Sequence, residues 1–437
     1  MDPISFINAY VFGPALTFSV FGAGIFLLVK TRFFFFAHPV RVFGTLFRSK
    51  NRAEGVSPFG ALCTALAGTL GVGNIVGVSG AVALGGAGAV FWMWVSSAAA
   101  MVLKYAEVAL GVKYRRAGAD GYHGGAPYYI RDAAGKPRLA RIFAILCVAA
   151  SFTLGNSVQA RAAADAGSVT LGIHPAATGA VIAAVCLAVS FGGVKRIASF
   201  TVKLIPFLTL VFIIMSVASV ISARERIPAV FAEIFSSAFT PSSAGGGIAG
   251  FLLSRSLRYG IARGIASNEA GCGTAPTAHA AADVDSPAKQ GIWGIVEVAV
   301  DTVFLCTLTA LVILVNGTSG GEGIAPVLDG FSACFGRAAG YIVCACVFFF
   351  ALSTVLCWSF YGCEAIASVT ASKRAKRVYL TVFFFAVIPF SLADTVFLWE
   401  ISDLVISLMT VINVAVLISR RREIAEITRG EFGGNIR

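Results

Sequence analysis

The chain is built from long apolar runs that recur at the length of a membrane-spanning helix, with short basic segments between them. A bilayer core about 30 Å thick needs roughly 20 apolar residues per helix. Runs of this length lie at 4–29, 59–84, 89–112, 139–160, 175–192, 197–221, 292–315, 338–368, 377–398 and 401–419. One further run, at 247–284, is only weakly apolar. The pattern predicts an all-α polytopic membrane protein with about 11 transmembrane helices.

The composition supports this prediction, because the chain is 57% hydrophobic and only 13% charged. A soluble chain has about 25% charged residues, so a cytosolic enzyme, a disordered regulator and a disulfide-stapled secreted module are excluded. The net charge of +12 comes from basic residues spread over many loops, so no nucleic-acid partner is expected. The ten cysteines include no C-x-x-C pair and are interpreted as reduced thiols.

The basic residues are concentrated in alternate loops, and this distribution predicts an orientation. They lie in 30–52, 113–141, 195–196, 373–377 and 420–422. Cytoplasmic loops carry the excess of Lys and Arg in membrane proteins. The predicted orientation in the cytoplasmic (inner) membrane has the N-terminus outside and the C-terminus in the cytoplasm. Arg255, Arg258 and Arg263 do not fit, because they fall in the outer half of the weakly apolar run.

The runs also predict a domain organisation. An extra N-terminal transmembrane helix (1–30) and a basic cytoplasmic loop (31–58) precede two sets of five helices, at 59–222 and 246–419, and a cytoplasmic tail covers 420–437. Because five is an odd number, the second set begins on the opposite face of the membrane from the first. The two sets are therefore expected to form an inverted repeat.

The first helix of each set contains an interruption. The first set opens with A-G-T-L-G-V-G-N at 67–74, and the second with S-N-E-A-G-C-G-T-A-P at 267–276. Gly and Pro at corresponding positions of two halves are the sequence signal of discontinuous helices, and transporters with inverted repeats bind their ligands where such helices meet. Two broken helices are therefore predicted, one heading each half.

An unwound segment exposes backbone N–H groups, which attract a carboxylate, and carbonyl oxygens, which can replace the hydration shell of Na⁺. Gly71 and Gly73 allow a small ligand to approach the main chain, because they have no Cβ. Asn74 adds a neutral oxygen ligand suited to a monovalent cation. The alternative for Asn74 is an ordinary interhelical hydrogen bond.

Five segments carry a resemblance to a known family. They are G-V-G-N-I-V-G-V from Gly71, A-L-G-G-A-G-A-V-F-W-M-W-V from Ala83, K-Y-A-E-V-A-L-G-V-K-Y-R with G-G-A-P-Y-Y-I at 104–130, R-G-I-A-S-N-E-A-G-C-G-T-A-P-T-A-H-A-A-A at 263–282, and S-T-V-L-C-W-S-F-Y-G-C-E at 353–364. In order and in content they resemble the alanine or glycine:cation symporters (sodium:alanine symporters). The resemblance implies a leucine-transporter-type fold of five plus five inverted helices that carries a small neutral amino acid with Na⁺.

The resemblance also implies roles for individual residues. It places the substrate-contacting groups at Gly73, Asn74, Gln159, Ala266, Asn268, Gly271, Thr354 and Trp358. Trp358 is interpreted as a lid or wall over the substrate. Na⁺ is expected between the carbonyls of Ala67 and Leu70 and the hydroxyls of Ser353 and Thr354, so that Thr354 is not assigned uniquely to ion or substrate. Thr69, Asn74 and Asp301 are the candidates for a second cation site.

Two positions depart from the family pattern. Many relatives have Thr where this chain has Val72, so any contact made by that hydroxyl is lost here. The family often has an aromatic residue where this chain has Ala266, and the smaller side chain is expected to enlarge the pocket. A neutral amino acid somewhat larger than alanine is therefore a reasonable cargo.

Several charged residues fall within the apolar runs. Lys104 and Glu107 are three residues apart and are predicted to form a structural pair on one helix face. Glu269 lies inside the second interruption and is expected to hold the unwound backbone. Asp301 either contributes to a cation site or is a buried, hydrogen-bonded carboxyl.

The prediction for function is Na⁺-coupled symport of a small neutral amino acid by alternating access, with the lipid bilayer as surroundings and no cofactor besides Na⁺ as coupling ion. No H-E-x-x-H motif and no P-loop is present in the sequence, so an enzyme is not expected. A proton-coupled amino-acid permease of the same fold is the nearest alternative. An ion channel is less favoured, because the chain can enclose one site by itself.

Overall fold

The computed structural model describes residues 13–48, 56–118, 121–190, 193–240, 255–318, 321 and 323–432, and these are almost entirely helical. The α-helices are α1 (Gly13–Lys30), α2 (Phe34–Ala37), α3 (Pro39–Gly44), α4 (Pro58–Thr69), α5 (Val76–Gly85), α6 (Gly88–Lys113), α7 (Ala126–Asp132), α8 (Pro137–Phe152), α9 (Val158–Leu171), α10 (Pro175–Ser190), α11 (Gly193–Ser222), α12 (Ile227–Ala238), α13 (Arg255–Asn268), α14 (Ala275–Ala280), α15 (Pro287–Val298), α16 (Thr307–Asn316), α17 (Ala325–Phe335), α18 (Ala338–Val369), α19 (Lys373–Phe390), α20 (Thr395–Ser419) and α21 (Arg421–Phe432).

Shorter segments complete the described chain. They are 3₁₀ turns at Thr45–Arg48, Val72–Asn74 and Arg224–Arg226, π-helical segments at Thr153–Ser157 and Ala299–Cys306, and an antiparallel hairpin of β1 (Arg116–Gly118) and β2 (Gly121–His123) in which Arg116 lies opposite His123. The π segments join α8 to α9 and α15 to α16, so each pair forms one long helix with a local widening.

Among the described residues, six continuous helical stretches are long and apolar enough to cross a membrane. They are Gly88–Lys113, Pro137–Leu171, Lys195–Ser222, Pro287–Asn316, Ala338–Val369 and Thr395–Ser419. The pair Pro58–Thr69 and Val72–Gly85 passes the same test together, with a bend of 64° at the break. The prediction of a multi-pass membrane protein is therefore confirmed. The count of about 11 helices, the inverted repeat and the domain bounds stay predictions, and residues 1–12, 49–55, 246–254 and 433–437 lie outside the described residues.

One boundary differs from the sequence prediction for a local reason. The last apolar helix was predicted from 401, but α20 begins at Thr395, because the Asp394 side chain caps it by accepting a hydrogen bond from the Phe397 N–H at 2.9 Å. The interruption predicted at 267–276 is present, since α13 ends at Asn268 and α14 begins at Ala275.

Helix α6 forms the centre of the packing and lies against both α13 and α15. Glycines on these partners allow the backbones to approach closely, as in other membrane helix pairs. A Cβ on Gly260 would collide with the Ala89 carbonyl oxygen, and one on Gly291 would lie 2.6 Å from the Tyr105 ring. The close packing of α6 against α13 and α15 therefore depends on glycines, which have no side chain at these two positions.

The two interrupted helices are joined at the end of the molecule that carries Lys113 and Arg420–Arg422, here called the basic end. Val56, before α4, pairs with Ala282, after α14, and the Asp283 N–H donates to the Val56 carbonyl at 2.8 Å. The Arg115 guanidinium donates to the carbonyls of Ala280 (3.4 Å), Ala282 and Val284 (3.1 Å). The basic end of the central helices is closed by these bonds.

The Gly260→Ala substitution tests this packing. The added methyl meets backbone rather than a movable side chain, so we expect a loss of about 1–3 kcal/mol, measured as a lower unfolding temperature in detergent. Gly80→Ala is the matched control, because a Cβ at Gly80 would have no atom within 4 Å. Equal unfolding temperatures for the two variants would contradict the packing argument.

Candidate functional site

The first break separates α4 from α5 at residues 70–75. Gly71 has an extended backbone, and Val72–Asn74 forms a single 3₁₀ turn. Gln159 fixes this geometry, because its Oε1 accepts from the Val72 N–H at 3.1 Å and its Nε2 donates to the Leu154 carbonyl at 3.2 Å. A Cβ on Gly71 would lie 2.7 Å from Gln159 Oε1 and 2.9 Å from Thr354 Oγ1. Only glycine at position 71 therefore leaves room for the polar groups of Gln159 and Thr354 to approach the backbone.

The second break separates α13 from α14 at residues 269–274. Glu269, Gly271 and Gly273 have φ values of +52°, +83° and +78°, a left-handed conformation that ends the helix. Asn268 holds the break from one side: its Oδ1 accepts from the Ala270 N–H at 3.0 Å, and its Nδ2 donates to the Gly264 carbonyl at 2.7 Å. The Glu269 carboxyl stays within the break and accepts from Thr274 Oγ1 at 2.6 Å.

Glu107, on α6, holds the second break from the other side. Its Oε2 accepts from the Gly273 N–H at 3.1 Å and from Asn413 Nδ2 at 3.0 Å. Asn413 also donates to the Gly271 carbonyl at 2.8 Å and accepts from the Tyr129 hydroxyl. Backbone groups that the helix leaves unpaired are thus bound by buried side chains from two other helices, α6 and α20.

The predicted pair of Lys104 and Glu107 is present, with Nζ 3.6 Å from Oε1, and both side chains are fully buried. Lys104 also lies 3.3 Å from Glu297 Oε1. Glu297 Oε2 is 3.0 Å from His279 Nε2, and Gln290 donates to His279 Nδ1 at 2.8 Å. The lysine is therefore shared between two carboxylates, which connect α6 to α15 and α14.

A small cavity lies between the two breaks. It is lined by Gly68, Thr69, Gly73, Gly77, Leu154, Gln159, Arg263, Ala266, Ser267, Glu269 and Trp399. A Cβ on Gly73 would have only the Ser267 Cα in reach, at 3.9 Å, so the cavity is open between these two residues. Of the residues predicted to contact substrate, Gly73, Gln159 and Ala266 line this cavity.

The other predicted substrate residues lie outside the cavity lining. Gly271 faces α20 and α1, where a Cβ would meet Val414, Thr410 and Val20 at 3.1–3.7 Å. Trp358 is fully buried, and its indole fills the space left by Gly155. The structure therefore places Trp358 as packing for the π segment before Gln159, and Asn268 as a clamp of the second break.

Asn74 and Asp301 lie in a polar cluster next to the cavity. Asn74 Nδ2 donates to Asp301 Oδ1 at 2.7 Å and to Ser267 Oγ at 3.0 Å, and Ser267 Oγ donates to Asp301 Oδ2 at 2.8 Å. Thr302 Oγ1 donates to the same carboxylate oxygen at 2.8 Å. The interhelical hydrogen bond considered for Asn74 is thus present. Asn74 Oδ1 is buried without a hydrogen-bond partner among the described residues.

The residues predicted to hold Na⁺ lie on α4 and α18, which run antiparallel. Cys357 Sγ contacts the Thr64 carbonyl at 3.0 Å, and Thr354 faces Gly71 two turns further along α4. Ala67, Leu70, Ser353 and Thr354 are all buried. The two hydroxyls donate to the Phe350 carbonyl at 2.8 and 3.0 Å, which leaves their oxygen lone pairs available to a cation.

This donor set suits Na⁺ rather than a transition metal. The described residues contain no group of three or more His, Cys, Asp or Glu placed to hold a metal ion. Carbonyl, hydroxyl and amide oxygens are instead the ligands of hard cations.

Sequence reasoning missed three features of the site. The π segment at Thr153–Ser157 places Gln159, and the one at Ala299–Cys306 contains Asp301. Such local widenings often occur at functional sites, but apolar periodicity gives no signal for them. The third is Trp399, which comes to the cavity from α20 beside Arg263. Its only sequence signal is that Arg263 disagrees with the charge pattern of the loops.

These features are those of a multi-pass transporter with a small cavity between two broken helices. Residues 2–430 match the family model of the sodium:alanine symporter family. The chain is 34% identical over 450 residues to the sodium/alanine symporter AgcS of Methanococcus maripaludis, covering 98% of each protein. It is 35% identical to an uncharacterised transporter of Haemophilus influenzae, over 98% of this chain and 95% of that one.

The fold resembles that of MhsT in complex with L-phenylalanine, with a TM-score of 0.54 at 14% identity, over 85% of this chain and 90% of that one. The chain therefore has the leucine-transporter-type fold, and it belongs to the sodium:alanine symporter family.

Glu107→Ala tests the clamp on the second break. The substitution leaves Lys104 and the Gly273 N–H without their shared partner, and breaking a buried pair costs about 3–5 kcal/mol. We expect a large fall in unfolding temperature in detergent. The unfolding temperature of Glu107→Gln should fall less, because the amide oxygen still accepts hydrogen bonds from Gly273 and Asn413. Glu423→Gln, which alters the partly exposed pair with Lys113, is the control, and a Glu107→Ala protein as stable as this control would contradict the clamp.

Proposed function

We propose that the protein carries a small neutral amino acid, alanine, glycine or a somewhat larger one, together with Na⁺ across the cytoplasmic membrane by alternating access. The observation that supports this most is the cavity lined by Gly73 of the first break, by Glu269 of the second break, and by Ala266 and Ser267 of α13 just before it. The family membership and the similarity to the sodium/alanine symporter AgcS support the same cargo.

The two breaks suit an amino-acid zwitterion. An unwound backbone offers N–H groups to a carboxylate at a helix start and carbonyls to an ammonium group at a helix end. Gly73 leaves the main chain accessible, and Gln159 lines the same cavity. Ala266 adds less volume to the cavity lining than an aromatic residue would, and this is the reason why we include cargo side chains larger than a methyl group in the proposal.

We assign the coupling ion to the oxygens of Ala67, Leu70, Ser353 and Thr354. A second cation site at Asn74 and Asp301 is supported by the unpartnered Asn74 Oδ1 beside a buried carboxyl. Ser267 joins this cluster to the cavity. An ion there would fix the shape of both breaks, so ion and amino acid would raise each other's affinity by the same factor.

The energy available sets a limit on accumulation. One Na⁺ that crosses a potential of 100 mV supplies about 2.3 kcal/mol. A tenfold Na⁺ gradient adds about 1.4 kcal/mol, and together these support an accumulation of about 500-fold. Two ions per cycle would square this ratio, so the steady-state accumulation distinguishes the two stoichiometries.

Proton coupling is the second candidate. Glu107, Glu269, Glu297 and Asp301 are all buried, and Lys104 is the basic side chain that the structure places in direct contact with two of them. Such intramembrane carboxyls are expensive unless they are paired, protonated or bound to a cation.

Uptake into liposomes separates the two candidates. With purified protein, labelled alanine should accumulate when an inward Na⁺ gradient is imposed at equal pH on both sides. Uptake driven equally well by a proton gradient in Na⁺-free buffer would overturn Na⁺ coupling. A ligand-independent current much faster than amino-acid flux would favour a channel.

Asp301→Asn tests the second cation site. Removing the charge should raise the Na⁺ concentration for half-maximal uptake by about 10- to 100-fold, since the loss of one charge-assisted contact is worth roughly 1.5–3 kcal/mol. It should also lower the steepness of the Na⁺ dependence. Glu364→Gln is the control, because Glu364 pairs with His123 away from the cavity. An unchanged Na⁺ dependence in Asp301→Asn would remove the second ion from the scheme.

A further inference from the structure

Trp399 lies between two cavities. Besides the central cavity, the structure contains a second one, here called the vestibule, lined by Val76, Val158, Arg161, Ala162, Asp165, Gly323, Ile324, Thr395, Leu398 and Trp399. Trp399 is the residue that the two linings share. Adjacent residues line different cavities: Val76 and Val158 line the vestibule, whereas Gly77 and Gln159 line the central cavity.

The vestibule lies at the end of the molecule opposite the basic end. Thr395 begins α20, and the helix runs 25 residues to Ser419 beside Arg420–Arg422, which is about 37 Å at 1.5 Å per residue. The basic end is closed by Arg115 and by the pairing of Val56 with Ala282. In this conformation the route from the central cavity toward the vestibule therefore passes Trp399.

Arg263 holds Trp399 in this position. Its guanidinium carbon lies 5.3 Å from the centroid of the indole ring, within the range of a cation–π contact. Arg263 also interacts electrostatically with Asp403, one turn after Trp399 on α20. Three residues after Arg263, Ala266 lines the central cavity on the same helix face.

This contact connects Trp399 to the central cavity through α13. The arginine and the cavity residues Ala266 and Ser267 belong to the last turn and a half of α13, which ends at the second break. A shift of that segment moves Arg263 and with it the ring of Trp399. A cargo whose large side chain extends from Ala266 toward Trp399 meets the indole ring.

We propose that Trp399, positioned by Arg263, is the lid that separates the vestibule from the central cavity and sets the upper size limit of the cargo. The size limit rests on the proposed function, whereas the separation of the two cavities does not. Trp399 contacts the cargo space directly, and Arg263 acts through it as a positioning residue.

The size limit is tested by competition in the liposome assay. In Trp399→Ala, the ability of phenylalanine relative to glycine to compete with labelled alanine should rise by about tenfold or more, since even a few methylene groups of pocket space change selectivity by that factor. Trp399→Phe should stay close to the wild type, and Arg263→Gln should lie between. Trp293→Ala is the control, because Trp293 is also half-buried but packs on Phe59. Adding Ala266→Phe to Trp399→Ala should restore the wild-type preference, because it returns an aromatic ring to the same cavity.

The separation of the cavities is tested without any cargo. In proteins that carry Ala266→Cys, a small methanethiosulfonate reagent should modify position 266 about tenfold faster when Trp399→Ala is also present, because removing the ring opens the pocket. Trp399→Phe should leave the rate near that of the single variant, and peptide mapping by mass spectrometry distinguishes position 266 from the native cysteines.

The two readouts separate the proposals. Faster labelling in a protein that transports no amino acid would uphold the lid and overturn the proposed function. Alanine transport with unchanged labelling and unchanged selectivity in Trp399→Ala would overturn the lid alone.

Discussion

Unpaired backbone groups at membrane depth are the constraint on which this structure depends. Lipid offers no hydrogen bonds, so irregular backbone is tolerated only where protein surrounds it. The two breaks meet this requirement differently. Gln159 and Thr354 contact the backbone of the first break. The second break is held by Asn268 from its own helix, and by Glu107 and Asn413 from other helices. The cavity between the breaks exists because side chains have taken over bonds that a continuous helix would make itself.

The burial of Lys104 follows from the same constraint. Glu107 must be a good acceptor for the Gly273 N–H, and a buried carboxylate is strongly stabilised by a positive charge beside it. Lys104 supplies that charge and extends it to Glu297. The central cavity is thus supported by a charged layer on the side that faces the basic end. On the other side it meets the ring of Trp399 and the side chain of Arg263.

The sequence predicted the parts of this arrangement that are local. Both breaks follow from clustered Gly and Pro, and the pair of Lys104 with Glu107 follows from their spacing on one helix face. It did not predict the bond from Glu107 to Gly273 or the contact of Arg263 with Trp399, because each joins helices separated by more than a hundred residues. The π segments before Gln159 and around Asp301 were not predicted either, because one extra residue in a turn leaves the hydropathy pattern unchanged.

The short backbone pairing of Val56 with Ala282 has a consequence for how the membrane potential could drive the cycle. Opening the basic end requires breaking one main-chain bond and the three bonds from Arg115, about 2–6 kcal/mol at 0.5–1.5 kcal/mol per bond. One monovalent cation that falls through 100 mV delivers about 2.3 kcal/mol. These two free energies are of similar size, so under the proposed Na⁺-coupled function the membrane potential alone would shift the balance between a closed and an open basic end.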